Sequence, residues 1–376
     1  MNIEKIPSPC FMLDEFRLKK NLEILKRIQT EADVEIILAL KGFAMWSTFP
    51  LINKYLKGAT ASSLNEAELC SEFMNKKAHT YAVAYEMSEF DRISDLSTHI
   101  TFNSLFQYEQ FKNIVSTKDI SCALRVNPEF SDVKTELYNP SSSSSRLGIT
   151  KANFPDKLPD GIDGLHFHVL CESDSYALEG VLNVLENKFG YLLHTLKWIN
   201  MGGGHAFTRV DYNVEHLIEM LKKFKLKYDL DIILEPGSAV AWQTGELYTT
   251  ILDIVENGGT KTAIIDASFT CHMPDCLEMP YRPSIEGGYI NAQDGSFKYR
   301  IGGVSCLAGD FLEEYSFDRR LSVGDAVIFK DMMHYTMVKT STFNGIKHPS
   351  LAIKNLEGDI QVVKEFGYAD YRDRLS

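Results

Sequence analysis

Residues Val34 to Phe43 read VEIILALKGF, and the fold turns on what this stretch is. Its first half is an apolar run rich in branched side chains, the composition of a strand buried on both faces in a parallel sheet. The run ends on Lys41, followed at once by Gly42. A lysine at the carboxyl end of an interior strand is costly to desolvate unless it is paired or chemically committed. Two readings follow. Either the side chain snorkels out of the sheet end, or desolvation lowers the amine pKa and frees its lone pair for a Schiff base with an aldehyde.

Working outward, short branched segments alternate with amphipathic ones through the first two-thirds of the chain. Glu15 to Thr30 carries Phe16, Leu18, Leu22, Leu25 and Ile28 at helical spacing. After VEIILAL the expected strands are GATASS, HTYAVAY, HITFNS, ISCALRVN, GLHFHVL, TLKWINM and LDIILE. Between them fall helix candidates at 49–55, 65–75, 88–96, 105–115, 176–189 and 214–227. About eight strands alternating with about eight helices predict a TIM-like (β/α)8 barrel over 14–244, with a doubly wound open sheet as the rival. From Tyr248 the texture changes to strand-like pieces such as YTTILDIVE, KTAIIDA, FKYRIGG, AVIFK and YTMVKT between Gly, Asp and Pro turns. The fold class is therefore α/β plus β. Residues 245–376 are expected to form a β-sandwich or β-barrel domain that takes in a strand from residues 1–13. The serine run Ser141 to Ser145, after Asn139-Pro140, reads as a mobile surface loop.

Composition narrows the function classes. A net charge of −12 argues against a nucleic-acid or anionic-membrane surface and suits a cationic ligand. No apolar run approaches the roughly 20 residues of a membrane helix, and the opening MNIEKIPSPCFML does not read as a signal peptide. Seven cysteines without framework spacing favour reduced thiols and a cytoplasmic location. Cys271, His272 and Cys276 match no standard zinc spacing, so no metal is expected.

Placed on a barrel, the unusual polar residues gather at strand ends. Lys41 ends the first strand and Ser62-Ser63 the second. Arg125 and Asn127 close the fifth, His166 and His168 sit on the sixth, Gly202 to Gly204 follow the seventh, and Glu235 ends the eighth. Barrel active sites lie at this carboxyl face. The glycine triplet offers backbone N–H donors to a phosphate, Glu235 a carboxylate for a pyridinium nitrogen, and His168 a flat ring for stacking. With a Schiff-base lysine these describe a pyridoxal 5'-phosphate site. There is no GxGxxG after an early strand and no GxxxxGK[ST], which disfavours a nucleotide fold.

Here the chain resembles the fold-type III pyridoxal phosphate decarboxylases, the group that pairs an alanine-racemase-like barrel with a β-domain. Its carboxynorspermidine (carboxyspermidine) branch is the most similar. The motifs that carry the resemblance are ALKGF, ATASSLNEAEL, LRVNP, SRLGIT, GLHFHVLCESD, NMGGGH, LEPGSAVAWQTG, DASFTCHMPDCLEMPYRP, GGVSCLAGD and DMMHYTMV. The resemblance implies that Lys41 carries the cofactor and His168 stacks on its ring. Gly203, Gly204 and Tyr335 hold the phosphate, Glu235 holds the ring nitrogen, and Arg125 and Ser63 complete the cofactor site. Cys306 is implied as the proton donor, inserted from the partner subunit of a homodimer, with Asp310 close to the substrate. Asp275 and Glu278 are candidates for the distal ammonium groups of a cationic carboxylated polyamine. Two departures stand out: Ser238 replaces the family's phosphate-binding arginine, and Gly42-Phe43 replaces a small polar residue and Asn. Rival readings are a diaminopimelate, ornithine or arginine decarboxylase, a racemase, and a non-catalytic pyridoxal phosphate carrier.

Overall fold

The computed structural model describes residues 6–133, 139–279, 281–291 and 296–376. They fall into two compact units, one of Lys20–Val240 and one that joins the residues up to Lys19 to Ala241–Ser376. In chain order the chain begins with β1 (Cys10–Asp14) and α1 (Glu15–Ala32). The VEIILAL run then forms β2 (Glu35–Ile36) and β3 (Leu38–Ala39). The short α2 (Phe49–Ile52) precedes β4 (Ala59–Ala61), α3 (Leu64–Leu69), β5 (Ala78–Tyr81), α4 (Met87–Asp95), β6 (Ser97–Phe102), α5 (Leu105–Val115) and β7 (Ser121–Asn127). Beyond β8 (Ile149–Thr150) come β9 (Ile162–His166), α6 (Ser175–Leu193), β10 (Trp198–Asn200), α7 (Val214–Tyr228), β11 (Asp231–Leu234) and the single turn α8 (Ser238–Ala241).

The opening run closes the barrel. Ile37 and Ala39 donate to the carbonyls of Leu234 and Pro236 at 3.0 Å each, while Leu38 and Leu40 donate to those of Gly58 and Thr60 at 2.9 and 3.2 Å. Alternate residues of one extended segment thus bond to opposite neighbours, as an interior parallel strand must. The sheet runs β2-β11-β10-β9-β7-β6-β5-β4-β3, its two ends being halves of that same run, with β8 added beside β7. A doubly wound open sheet would leave the run at two separate edges; the ring excludes it.

Inside the barrel Ile37, Ala123, Trp198 and Ile233 form a buried cluster. Gly164 makes room for the indole, since a Cβ there would fall 2.5 Å from Trp198. On the outer layer α6 shows why these helices form. Leu178, Val181, Leu182, Leu185, Phe189 and Leu192 recur at helical spacing and are all buried, and Asp174 caps the first turn by accepting from the Ala177 N–H at 2.9 Å.

The second unit holds β1 together with β12 (Gly245–Asn257), β13 (Thr260–Ile265), α9 (Phe269–His272), α10 (Pro274–Glu278), β14 (Gly288–Tyr289), β15 (Phe297–Gly302), β16 (Phe311–Phe317), β17 (Ala326–Lys330), β18 (Ser350–Lys354), β19 (Ile360–Lys364) and α11 (Tyr368–Arg372). Its mixed sheet runs β14-β16-β15-β13-β12-β1-β18-β19, with β17 also on β12. The N-terminal strand is used as expected: β1 pairs antiparallel with β12 and parallel with β18. Among the described residues no helix is long and apolar enough to cross a membrane.

Three local expectations need correction. Ser141 is buried, donates from Oγ to Asn127 Oδ1 at 2.7 Å and accepts from the Phe130 N–H at 3.2 Å, so the serine run is pinned at its start. YTMVKT is no strand, because Tyr335 takes a left-handed φ of 47° and its carbonyl closes turns onto Val338 and Lys339. The helix expected over 65–75 stops being α-helical after Leu69 and continues as a π-helical turn from Cys70 to Met74, ended by Asn75 at φ 54°.

Candidate active site

The site in the barrel unit follows from the two-residue period of its strands. Two residues beyond Ala123, Gly164, Trp198 and Ile233 stand Arg125, His166, Asn200 and Glu235, on the same face and one layer nearer the carboxyl ends. The register sets Arg125 opposite His166 and His166 opposite Asn200. Lys41 follows two residues after Ala39. The chain turns there, as the Gly42 and Phe43 N–H groups both return to the Ala39 carbonyl at 3.0 and 3.2 Å. Gly42 has a packing reason: a Cβ would sit 2.8 Å from Gly237 Cα, so the loops after the first and eighth barrel strands touch backbone to backbone.

Lys41 is exposed, while the protein packed around it still desolvates its amine. Desolvation pulls its pKa down, the Arg125 charge pulls the same way, and Glu235, Glu66 and Cys171 oppose them. The net direction is downward, which enlarges the fraction of neutral, nucleophilic amine.

Glu235 is buried. Its Oε1 accepts from Asn200 Nδ2 at 2.6 Å and its Oε2 lies 3.5 Å from His166 Nε2. Burial acts to raise its pKa, but the hydrogen bonds from His166 and Asn200 prevail and hold it at about 2. Burial pushes the His166 pKa down, against the upward pull of Glu235. Its Nδ1 has no partner among the described residues, which fits a tautomer with the proton on Nε2, facing Glu235. The imidazole stacks on Tyr81 at 5.2 Å between centroids, and the Arg125 guanidinium lies 4.6 Å from the Tyr81 ring centre. Burial lowers the pKa of Arg125, and its Nη2 donates to the His168 carbonyl at 3.1 Å.

His168 is half-buried, and desolvation, then the charges of Lys41 and Arg125, drive its pKa well down. Its Nδ1 accepts the Gly203 N–H at 2.9 Å. The Gly203 amide thereby orients the His168 ring. The loop is tight. Gly202 and Gly204 take φ of 68° and 85°, and a Cβ on Gly203 or Gly204 would fall 2.1 Å from the Glu235 carbonyl oxygen or 2.0 Å from that of Leu170. His205 beside it is buried, with neither ring nitrogen partnered among the described residues. Ser63 is exposed and serves as the N-cap of α3, accepting from the Glu66 N–H at 3.3 Å.

In the β-unit, Asp275 Oδ2 accepts from Tyr281 Oη at 2.7 Å and from Thr336 Oγ1 at 3.1 Å. Its Oδ1 is buried and has no partner among the described residues. Tyr335 precedes that threonine, and Glu278 is exposed and paired with Lys339. Cys306 is exposed. Asp310 is gripped by backbone donors. It is buried, with Oδ1 accepting from the Phe269 and Thr270 N–H groups at 2.7 and 3.1 Å and Oδ2 from the Ser305 N–H at 3.0 Å. All seven cysteines are free, and no group of three or more His, Cys, Asp or Glu among the described residues could hold a metal ion.

Sequence reasoning overlooked Asn200, Tyr81 and Asn344. Asn200 was readable in principle, because it lies two residues after Trp198 and two before Gly202, on the inward face of a strand. Tyr81 and Asn344 act through partners distant in the chain and left no local signal.

Comparison with known proteins agrees with this geometry. Residues 97–333 match the family model described as pyridoxal-dependent decarboxylase, C-terminal sheet domain. The chain is 48% identical over 99% of its length, and 96% of the relative's, to carboxyaminopropylagmatine decarboxylase of a Synechocystis species. It is 43% identical, over 99% of both chains, to carboxynorspermidine/carboxyspermidine decarboxylase of Campylobacter jejuni. The crystal structure of carboxynorspermidine decarboxylase from Campylobacter jejuni, complexed with norspermidine, superposes with a TM-score of 0.92 at 41% identity, covering 98% of this chain and 100% of that one. With a lysine, a carboxylate and a glycine loop gathered at the strand ends of its barrel, the chain belongs to the pyridoxal-dependent decarboxylases.

Proposed function

We propose that this enzyme decarboxylates carboxynorspermidine or carboxyspermidine, releasing norspermidine or spermidine and CO2, as a cytoplasmic homodimer in polyamine synthesis. The observation that carries the reading is the site of Lys41, His168, the glycine loop and an ionised Glu235, in a chain similar over its full length to decarboxylases of such substrates. The residues fit the cofactor. Lys41 offers an amine of lowered pKa, Glu235 a carboxylate that stays charged, and His205 a buried imidazole without a protein partner beside the glycine loop.

Pyridoxal phosphate, when bound, supplies the electron sink that takes up the pair of the breaking Cα–carboxylate bond. Everything else falls to the chain. Lys41 would hold the cofactor through its amine, and Glu235, kept ionised by Asn200 and His166, would hold a proton at the ring nitrogen. His168 presents a neutral ring fixed by Gly203, so it adds no charge over the cofactor. Gly204, Tyr335 and Arg125 complete the cofactor site. Asp275 Oδ1, a buried carboxylate oxygen with no partner among the described residues, takes a distal ammonium, with Glu278 at the rim. Cys306, exposed on its turn, protonates the α-carbon in the partner subunit's site.

One observation favours a second substrate. The relative at 48% identity is named for carboxyaminopropylagmatine, which ends in a guanidinium instead of an ammonium. Steady-state turnover of all three carboxylated substrates by the purified protein decides. A kcat/KM for one of them far above that for diaminopimelate, ornithine and arginine is expected, and preference for any of those amino acids would overturn the proposal. Mixing inactive Lys41→Ala and Cys306→Ala subunits should restore part of the activity; no restoration contradicts a shared site.

A further inference from the structure

We propose that Asn344 is a positioning residue for the proton-donating turn, setting Cys306 through a single hydrogen bond. The inference rests on the assignment of Cys306 as proton donor made above. Asn344 Oδ1 accepts the Cys306 backbone N–H at 2.8 Å. The turn it grips is otherwise thinly held, since Leu307, Ala308 and Gly309 are all exposed and a Cβ on Gly309 would meet nothing within 4 Å. Within the turn, the Leu307 N–H reaches Ser305 Oγ at 3.3 Å and the Asp310 N–H the Leu307 carbonyl at 3.0 Å. These bonds shape the turn without anchoring it.

Backbone ties its entry, where the Val304 N–H donates to the Ala267 carbonyl at 3.0 Å, and two side chains add to that anchor. Asp310 holds the entry through the Ser305 N–H and is itself fixed by the N–H groups of Phe269 and Thr270. Gly303 lets it in, for a Cβ there would sit 2.3 Å from Asp310 Oδ2. Asn344 holds the cysteine itself. It occupies the left-handed region at φ 57°, ψ 14°, which asparagine tolerates better than other side-chain-bearing residues. Its own turn is closed by the Gly345 N–H on the Thr342 carbonyl at 3.0 Å and the Ile346 N–H on the Phe343 carbonyl at 3.2 Å. The Ser341 N–H to Cys271 carbonyl bond, 2.7 Å, ties the approach to α9. The amide oxygen is thus presented from a fixed base. Fixing the Cys306 N–H limits the arc through which Sγ can swing, and proton transfer demands heavy-atom approach to hydrogen-bond distance.

Asn344→Gly is the informative variant, because glycine keeps the left-handed turn without strain and loses only the acceptor. Asn344→Asp restores an acceptor oxygen. In the holoenzyme, Asn344→Gly should speed exchange of the Cys306 amide roughly tenfold relative to distant amides. It should lower kcat by about 10- to 100-fold with KM within about twofold. Asn344→Asp should return both towards the parent, and in a Cys306→Ala background Asn344→Gly should lower kcat no further. Unchanged exchange, unchanged kcat, no rescue by aspartate, or an equal fall in the Cys306→Ala background overturns the positioning role. Full activity of Cys306→Ala alone overturns the donor assignment, and the proposal with it.

Discussion

Glu235 and Asn200 sit on neighbouring strands with 2.6 Å between carboxylate oxygen and amide nitrogen, and much of the site's chemistry depends on that pair. A buried carboxylate left without donors would take up a proton and could no longer hold one at a ring nitrogen. Asn200→Ala therefore removes a charge-assisted bond worth about 1.5–3 kcal/mol, and the melting temperature should fall accordingly. The same variant should lower kcat by about 10- to 100-fold, and an unaltered kcat would show that Glu235 needs no such support. Lys41, Glu235 and the glycine triplet were legible because lysines, acids and glycine runs are conspicuous at the ends of apolar strands. Asn200 was not, since an asparagine in a strand end looks like the start of a turn. The grip on Asp310 was equally hidden: an acid in a loop beside Cys306 looks solvated, whereas backbone N–H groups of Phe269, Thr270 and Ser305 hold it.

At the scale of elements, the run from Glu35 to Leu40 joins both ends of a sheet into a ring, and Gly42 lets the next loop lie against Gly237. Composition announced this strand plainly, since branched apolar residues buried on both faces have few other homes. Its division into β2 and β3 was not legible, because the split reflects bonds to Leu234 and Pro236 on one side and to Gly58 and Thr60 on the other, all far away in sequence. YTMVKT misled because Tyr335 adopts a left-handed φ that β-branched neighbours do not announce. The glycines give a paired test of this packing. Gly42→Ala drives a methyl into Gly237 backbone and should cost about 1–3 kcal/mol. Gly190→Ala, in α6 with nothing within 4 Å, should instead stabilise by about 0.4–1 kcal/mol. Chemical denaturation of both variants reads the two signs, and equal effects would contradict the close approach of the two loops.

Across the whole molecule, buried titratable groups set the response to acid. Burial holds His205 at about 3 and His272 at about 4, against an ordinary value of 6.5. A histidine kept neutral in the fold takes up its proton more readily when unfolded, so its contribution is fully present above about 6.5. It is lost as pH falls towards 4 and 3. Glu235, held at about 2, contributes above its unfolded value near 4.5 and loses that contribution between 4.5 and 2. All three act in one direction. Melting temperature measured against pH should decline steadily below about 6.5; a flat profile down to pH 4 would contradict the burial of these imidazoles.

The central claim is that Lys41 is the lysine that carries the cofactor. Reducing the purified, cofactor-loaded protein with borohydride makes that link permanent, and peptide mass spectrometry then locates it. The added phosphopyridoxyl mass is expected on the peptide that contains Lys41, with none appearing in Lys41→Ala. A protein that takes up the label on a different lysine, or binds no cofactor at all, would contradict the account.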